Sequence, residues 1–100
     1  MGAESHLEKS ICDYARKSGF LVFKFSSPGH RAVPDRLFIS PYGKCIFIEV
    51  KAPGKTPSPL QARELERLRG YNVPATWVDS LPKAKAFLDQ HRHNSTTTKA

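Results

Sequence analysis

Long apolar runs are missing from this 100-residue chain. Nothing in it approaches the roughly 20 consecutive apolar residues that a membrane helix needs, and the opening MGAESHLEKS lacks the apolar core of a secretion signal. Cysteine is scarce too. Cys12 and Cys45 form no CxxC or other metal-ligand spacing, which argues against a disulfide framework and a structural zinc site. Both thiols are read as reduced, in a cytosolic compartment. Acidic residues are few, 9 against 16 lysines and arginines, for a net charge of +7. That balance makes an acidic polymer a plausible partner, nucleic acid being the commonest, with a plain basic surface as the alternative. The cations are scattered and do not form a basic tail. There is no internal repeat, linker or low-complexity block.

What is present fits one small globular domain: 39% hydrophobic and 25% charged residues exclude a disordered chain. The domain is expected over 1–92, followed by a polar tail over 93–100. Apolar residues at helical spacing (Leu7, Ile11, Tyr14, Ala15) predict a helix over 5–18, stopped by Gly19. FLVFKF (20–25), DRLFIS (35–40), CIFIEVK (45–51) and VPATWVD (73–79) read as strands. The PYGK turn suggests a hairpin between the second and third. Ser58 followed by Pro59 marks the start of a helix reaching Arg69, with Gly70 as its end. A last helix is expected over 81–92. The order α-β-β-β-α-β-α predicts an α/β fold, a mixed sheet flanked by helices, with the third and fourth strands parallel through a right-handed crossover.

The unusual stretch is PDRLFISPYGKCIFIEVK. Side chains alternate along a strand, so Ile46, Ile48 and Val50 point into the core while Cys45, Phe47, Glu49 and Lys51 point the other way. If the second and third strands pair, Asp35 and Glu49 converge at a strand end beside Lys51. Two close carboxylates repel each other and favour a divalent cation between them, with Mg²⁺ preferring such oxygen ligands. A cation there polarises a phosphate and lowers the pKa of a bound water, and a neighbouring lysine stabilises charge on the phosphate oxygens. The plain alternative is an exposed Glu–Lys pair on an edge strand.

VPD followed by IEVK at the end of a hydrophobic strand resembles the PD-(D/E)XK nuclease core, a restriction-endonuclease-like fold whose element order matches. GHRAVPD, FIEVKAPG and SPLQ resemble the VRR-NUC branch, in particular the short stand-alone forms of phages and bacteria, over about residues 4–90. The resemblance implies Asp35 and Glu49 as metal ligands with the backbone carbonyl of Val50, Lys51 as the catalytic lysine, and Gln61 close to that lysine. It also implies Glu8 as an acid reaching the metal directly or through water. The metal would be Mg²⁺ or Mn²⁺, with no small-molecule cofactor and no membrane partner. The implied activity is structure-selective endonucleolysis of DNA in the cytoplasm of a bacterial or phage-infected cell. Four-way (Holliday) junctions cut by a homodimer, leaving 5′-phosphates, are the expected substrate and products. Larger family members carry further recognition domains that this chain does not show.

Several of these residues have a second reading. Ser5-x-x-Glu8 and Ser58-x-x-Gln61 both fit capping boxes. Against that, Glu8 lies beside Ile11, Cys12 and Ala15, and Gln61 shares a face with Leu65 and Leu68. His30, Arg31, Lys55 and Arg63 are candidate DNA contacts or ordinary solvated cations. Trp77 reads as packing. His91 and His93 lack the further ligands of a zinc site. GKT at 54–56 does not follow a phosphate-loop pattern, and NST at 94–96 has no meaning without secretion. A nuclease acting on flaps, nicked or ordinary duplex DNA stands as an alternative, as does a non-catalytic nucleic-acid-binding module.

Overall fold

The computed structural model describes residues 2–93; most of the expected polar tail lies outside the described residues. Helix α1 spans Ala3–Lys17 and buries Ile11, Cys12 and Ala15. It begins two residues earlier than the pattern suggested. Gly2 is its N-cap and supplies no side-chain bond, so Ser5 lies within the helix and the expected Ser5/Glu8 capping box does not form. At the other end Phe20 donates its N–H to the Ala15 carbonyl, while Gly19 takes φ 94°. This is a left-handed helix stop that only glycine adopts without strain.

Strands β1 (Leu21–Lys24), β2 (Arg36–Ile39), β3 (Cys45–Val50) and β4 (Ala75–Val78) form one sheet in the order β1-β2-β3-β4. β1–β2 and β2–β3 are antiparallel, and β3–β4 is parallel. Each strand is one to three residues shorter than its sequence pattern, the flanking residues lying outside the ladder. Helix α2 (Pro59–Gly70) makes the β3-to-β4 crossover, and α3 (Leu81–Arg92) closes the domain. Gly70 is the last residue of α2, where the sequence placed the helix end, and the chain then turns at Asn72, with φ 65°. Asparagine tolerates that region better than most residues.

The sheet divides the core in two. On one face α1 and α3 pack side by side against Phe38, Ile46, Ile48, Val50 and Val78. On the other, α2 brings Leu65 and Leu68 to Phe47, Ala75 and Trp77, which confirms Trp77 as a packing residue. Tyr14 Oη donates to Asp89 Oδ1 at 2.6 Å and ties α1 to α3. Among the described residues no helix is long and apolar enough to cross a membrane.

Candidate active site

Strand alternation decides where Glu49 points. Ile48 and Val50 lie in the α1/α3 core, so Glu49 between them faces the α2 side, at 4% exposure. The antiparallel ladder pairs Arg36 with Ile48, and one step outward along it sets Asp35 opposite Glu49. The Asp35 backbone N–H lies close enough to the Glu49 carboxyl to favour its charged form. The Asp35 carbonyl accepts from Phe25 N–H at 2.7 Å, which holds this corner against the start of the loop after β1. The Asp35 side chain is exposed.

Lys51 is the first residue past β3. Its N–H continues the parallel ladder, donating to the Val78 carbonyl at 2.9 Å. Its Nζ donates to Gln61 Oε1 at 3.2 Å and lies 3.9 Å from Glu49 Oε2. Gln61 joins the whole cluster. Its Oε1 also accepts from Ser58 N–H at 2.9 Å, and its Nε2 donates to Glu49 Oε2 at 3.1 Å. Ser58 Oγ accepts from Gln61 N–H at 3.1 Å and completes a capping box at the α2 N-terminus. The two readings of Gln61 are therefore a single arrangement: the cap fixes the side chain that bridges Glu49 and Lys51. An ammonium only donates and a carboxylate only accepts, which settles the amide's orientation.

The electrostatics follow from burial. Removal from water, and after it the Asp35 charge, together push the Glu49 carboxyl up to about 7 against the opposing pull of Lys51. A buried carboxylate facing a second carboxylate is the donor set of a hard divalent cation that keeps most of its waters. The residues present fit a hard divalent cation on that ground. Among the described residues no three His, Cys, Asp or Glu side chains gather into one group that could hold a metal ion; the carboxylates set opposite each other at this corner are Asp35 and Glu49. Val50 ends β3 between Glu49 and Lys51, with its side chain in the core.

Glu8 is not brought into this cluster. Its carboxylate accepts from Arg36 Nε, a partly buried ion pair between α1 and β2. Arg36 follows Asp35 in sequence, but its side chain lies on the opposite face of the strand. The α1 acid whose charge does reach Glu49 is Glu4, one turn earlier, raising the Glu49 pKa. Sequence reasoning passed over Glu4. The signal was the i, i+4 spacing of Glu4 and Glu8 on one side of the helix, obscured by starting the helix at residue 5. His30, Arg31, Lys55 and Arg63 are all exposed. The N–H of His30 donates to the Ser27 carbonyl, and that of Lys55 to the Ala52 carbonyl, each closing a turn.

No protein-family model matches the chain. A protein named "Putative nuclease p44", from Acyrthosiphon pisum secondary endosymbiont phage 1, is 52% identical over 77 residues, which is 77% of this chain and 83% of that protein. A solved structure described as a VRR_NUC domain superposes with a TM-score of 0.82 at 32% identity, covering 93% of this chain and 100% of that one. A second, a VRR_NUC domain protein, gives a TM-score of 0.75 over 91% of this chain and 88% of that one. At 14% identity the second likeness shows the fold alone.

Proposed function

Since the chain belongs to the VRR-NUC family of nucleases, with its PD-(D/E)XK-like fold, we propose that the cluster at the ends of β2 and β3 is a metal-dependent endodeoxyribonuclease site. The observation that carries this reading is the hydrogen-bonded set Glu49–Gln61–Lys51 with Asp35 directly opposite. Asp35 and Glu49, with the Val50 backbone carbonyl, would hold Mg²⁺ or Mn²⁺. A cation bound there supplies charge neutralisation at the phosphate and a more acidic water. Lys51 places its ammonium where negative charge grows on the phosphate oxygens. Gln61 is a positioning residue: it holds Lys51 and one Glu49 oxygen. A water oxygen bonds to the phosphorus as the bond to the 3′ oxygen breaks; the water gives up a proton and the leaving oxygen takes one up, so the products carry a 5′-phosphate and a 3′-hydroxyl. His30, Arg31, Lys55 and Arg63 contact the DNA backbone. Glu8, fixed by Arg36, sets the position of α1 beside the site and does not ligate the metal directly.

The substrate proposed is a four-way junction, cut by a homodimer. Leu21 and Phe23, 59% and 46% exposed, project from the edge strand β1 on the sheet face that α2 leaves uncovered. A second copy seated on that apolar strip buries it and pairs two sites about a two-fold axis, matching the junction's own symmetry. A labelled four-way junction and its matched linear duplex, incubated with Mg²⁺, Mn²⁺ or EDTA, test this. Symmetric, metal-dependent nicks in the junction alone are expected. Equal cleavage of the duplex, or of flaps on the same gel, removes the junction selectivity and keeps the nuclease. Binding without cleavage in either metal leaves a non-catalytic module.

A further inference from the structure

On the other side of β2 from Glu49 lies a cleft of about 410 Å³ between α1 and the β1–β2 edge. Its charged lining is Lys9, Arg16, Lys24 and Arg36 against Glu8 and Asp13, an excess of two positive charges. The two carboxylates are already engaged. Glu8 accepts from Arg36, and Asp13 is shared between Lys9 at 3.0 Å and Arg16 at 3.7 Å. The side chain of Lys24, exposed on β1, forms no hydrogen bond or ion pair with the described residues. Arg36 is set rigidly, with its side chain 18% exposed. The cleft starts at Ser5, next to Glu4, whose charge reaches Glu49. It extends along α1 to Arg16, ~16 Å at the helical rise.

We infer that this cleft is a second phosphate-binding track, taking the backbone of a DNA strand as it leaves the cleavage site around the end of β2. Several observations support a strand over a small anion. The cavity is larger than one ion needs, its cations are spread along its length, and its near end adjoins the site. At 3.4 Å per nucleotide along one strand, its length corresponds to ~5 nucleotides. The contacts are to phosphate, so they add affinity without sequence preference. This inference rests on the proposed nuclease reading for the direction of the strand, but the binding it describes does not require catalysis.

The test is DNA binding in Ca²⁺ by the full chain, read by fluorescence anisotropy on a labelled four-way junction across a salt series. Lys24→Ala and Arg16→Ala are each expected to weaken binding about threefold, consistent with exposed charge contacts. Each is expected to flatten the log K versus log salt slope by about 1. Lys24→Glu is expected to weaken it further. Tyr71→Ala, exposed just past the C-terminal end of α2, serves as the control with unchanged binding. Circular dichroism melts of the same variants check folding; Lys24 and Arg16 are surface residues, and melting within about 2 °C of the parent is expected. Unchanged affinity and slope in both Lys24→Glu and Arg16→Ala overturn the cleft. Metal-dependent cleavage by the unmodified protein is followed in parallel. Its absence alongside weakened binding in the variants leaves the cleft standing and removes the nuclease reading.

Discussion

The two faces of β3 differ in what covers them. Ile46, Ile48 and Val50 are sealed by α1 and α3 into a continuous apolar core. On the opposite face Phe47 is packed by Leu65, but Glu49 and Lys51, two and four residues on, meet each other, Asp35 and the capped first turn of α2. One helix crossing half a sheet face leaves a strip at the strand ends where polar groups stay buried yet reachable. The same six-residue strand thus carries a stabilising face and a chemical one. The difference implies that substitutions on the first face change stability and those on the second change activity.

The largest expected effect is on cleavage. Lys51→Ala removes the ammonium at the phosphate, and a rate loss of about 10²–10³-fold is expected in single-turnover assays, with folding retained. On the opposite face Ile48→Ala empties a fully buried position and is expected to cost about 3 kcal/mol in urea unfolding. If the two variants exchanged phenotypes, the division of β3 would be wrong.

Glu49 joins the two faces through pH. Its carboxyl is pushed up to about 7 from 4.5, so the folded metal-free protein holds that proton more tightly than the unfolded chain. Stability from this group is therefore present at low pH and is lost as pH rises through about 4.5–7, on the order of 3 kcal/mol at most. Glu49→Gln in EDTA is expected to show a flatter melting-temperature profile over that window and to melt above the parent at pH 8. Metal binding requires the ionised form, so Mn²⁺ is expected to stabilise the parent increasingly above pH 7 and the variant not at all. Parallel profiles for the two proteins would contradict the buried, repelled carboxylate.

Smaller again is Ser58→Ala, which removes one half of the α2 cap. A loss of about 1 kcal/mol is expected. Because the cap also steadies Gln61, a severalfold fall in cleavage rate is expected alongside it. An unchanged rate would separate the cap from the site. The smallest effect on the monomer belongs to Phe23→Lys on β1: stability within about 0.5 kcal/mol, but a shift to monomer mass in sedimentation if the uncovered strip is where two copies meet.

The alternation of CIFIEVK was enough to assign both faces of β3, because period-2 patterning and burial coincide there. Ser58, Pro59 and Gln61 likewise announced α2 and its cap. The family resemblance named Asp35, Glu49, Lys51 and Gln61, and the structure gathers these four. What sequence could not supply was the α1 register. With Gly2 as a cap bearing no side chain, nothing in the local chemistry marked the helix start, and the Ser5-x-x-Glu8 spacing pointed to a cap that does not form. Arg36 then captured Glu8, a contact between residues 28 apart that no local pattern encodes. The bridging role of Gln61 was also open in sequence, since a cap and a buried contact look like rivals until one side chain is seen making both.

The most direct test of the central claim is the rate of cleavage of labelled junction DNA against Mn²⁺ concentration, at pH 7.5, for the parent and for Glu49→Gln. The account predicts saturable, EDTA-reversible cleavage by the parent and loss of activity in the variant across the whole metal range. Equal cleavage by both proteins would contradict it and place the chemistry elsewhere on the molecule.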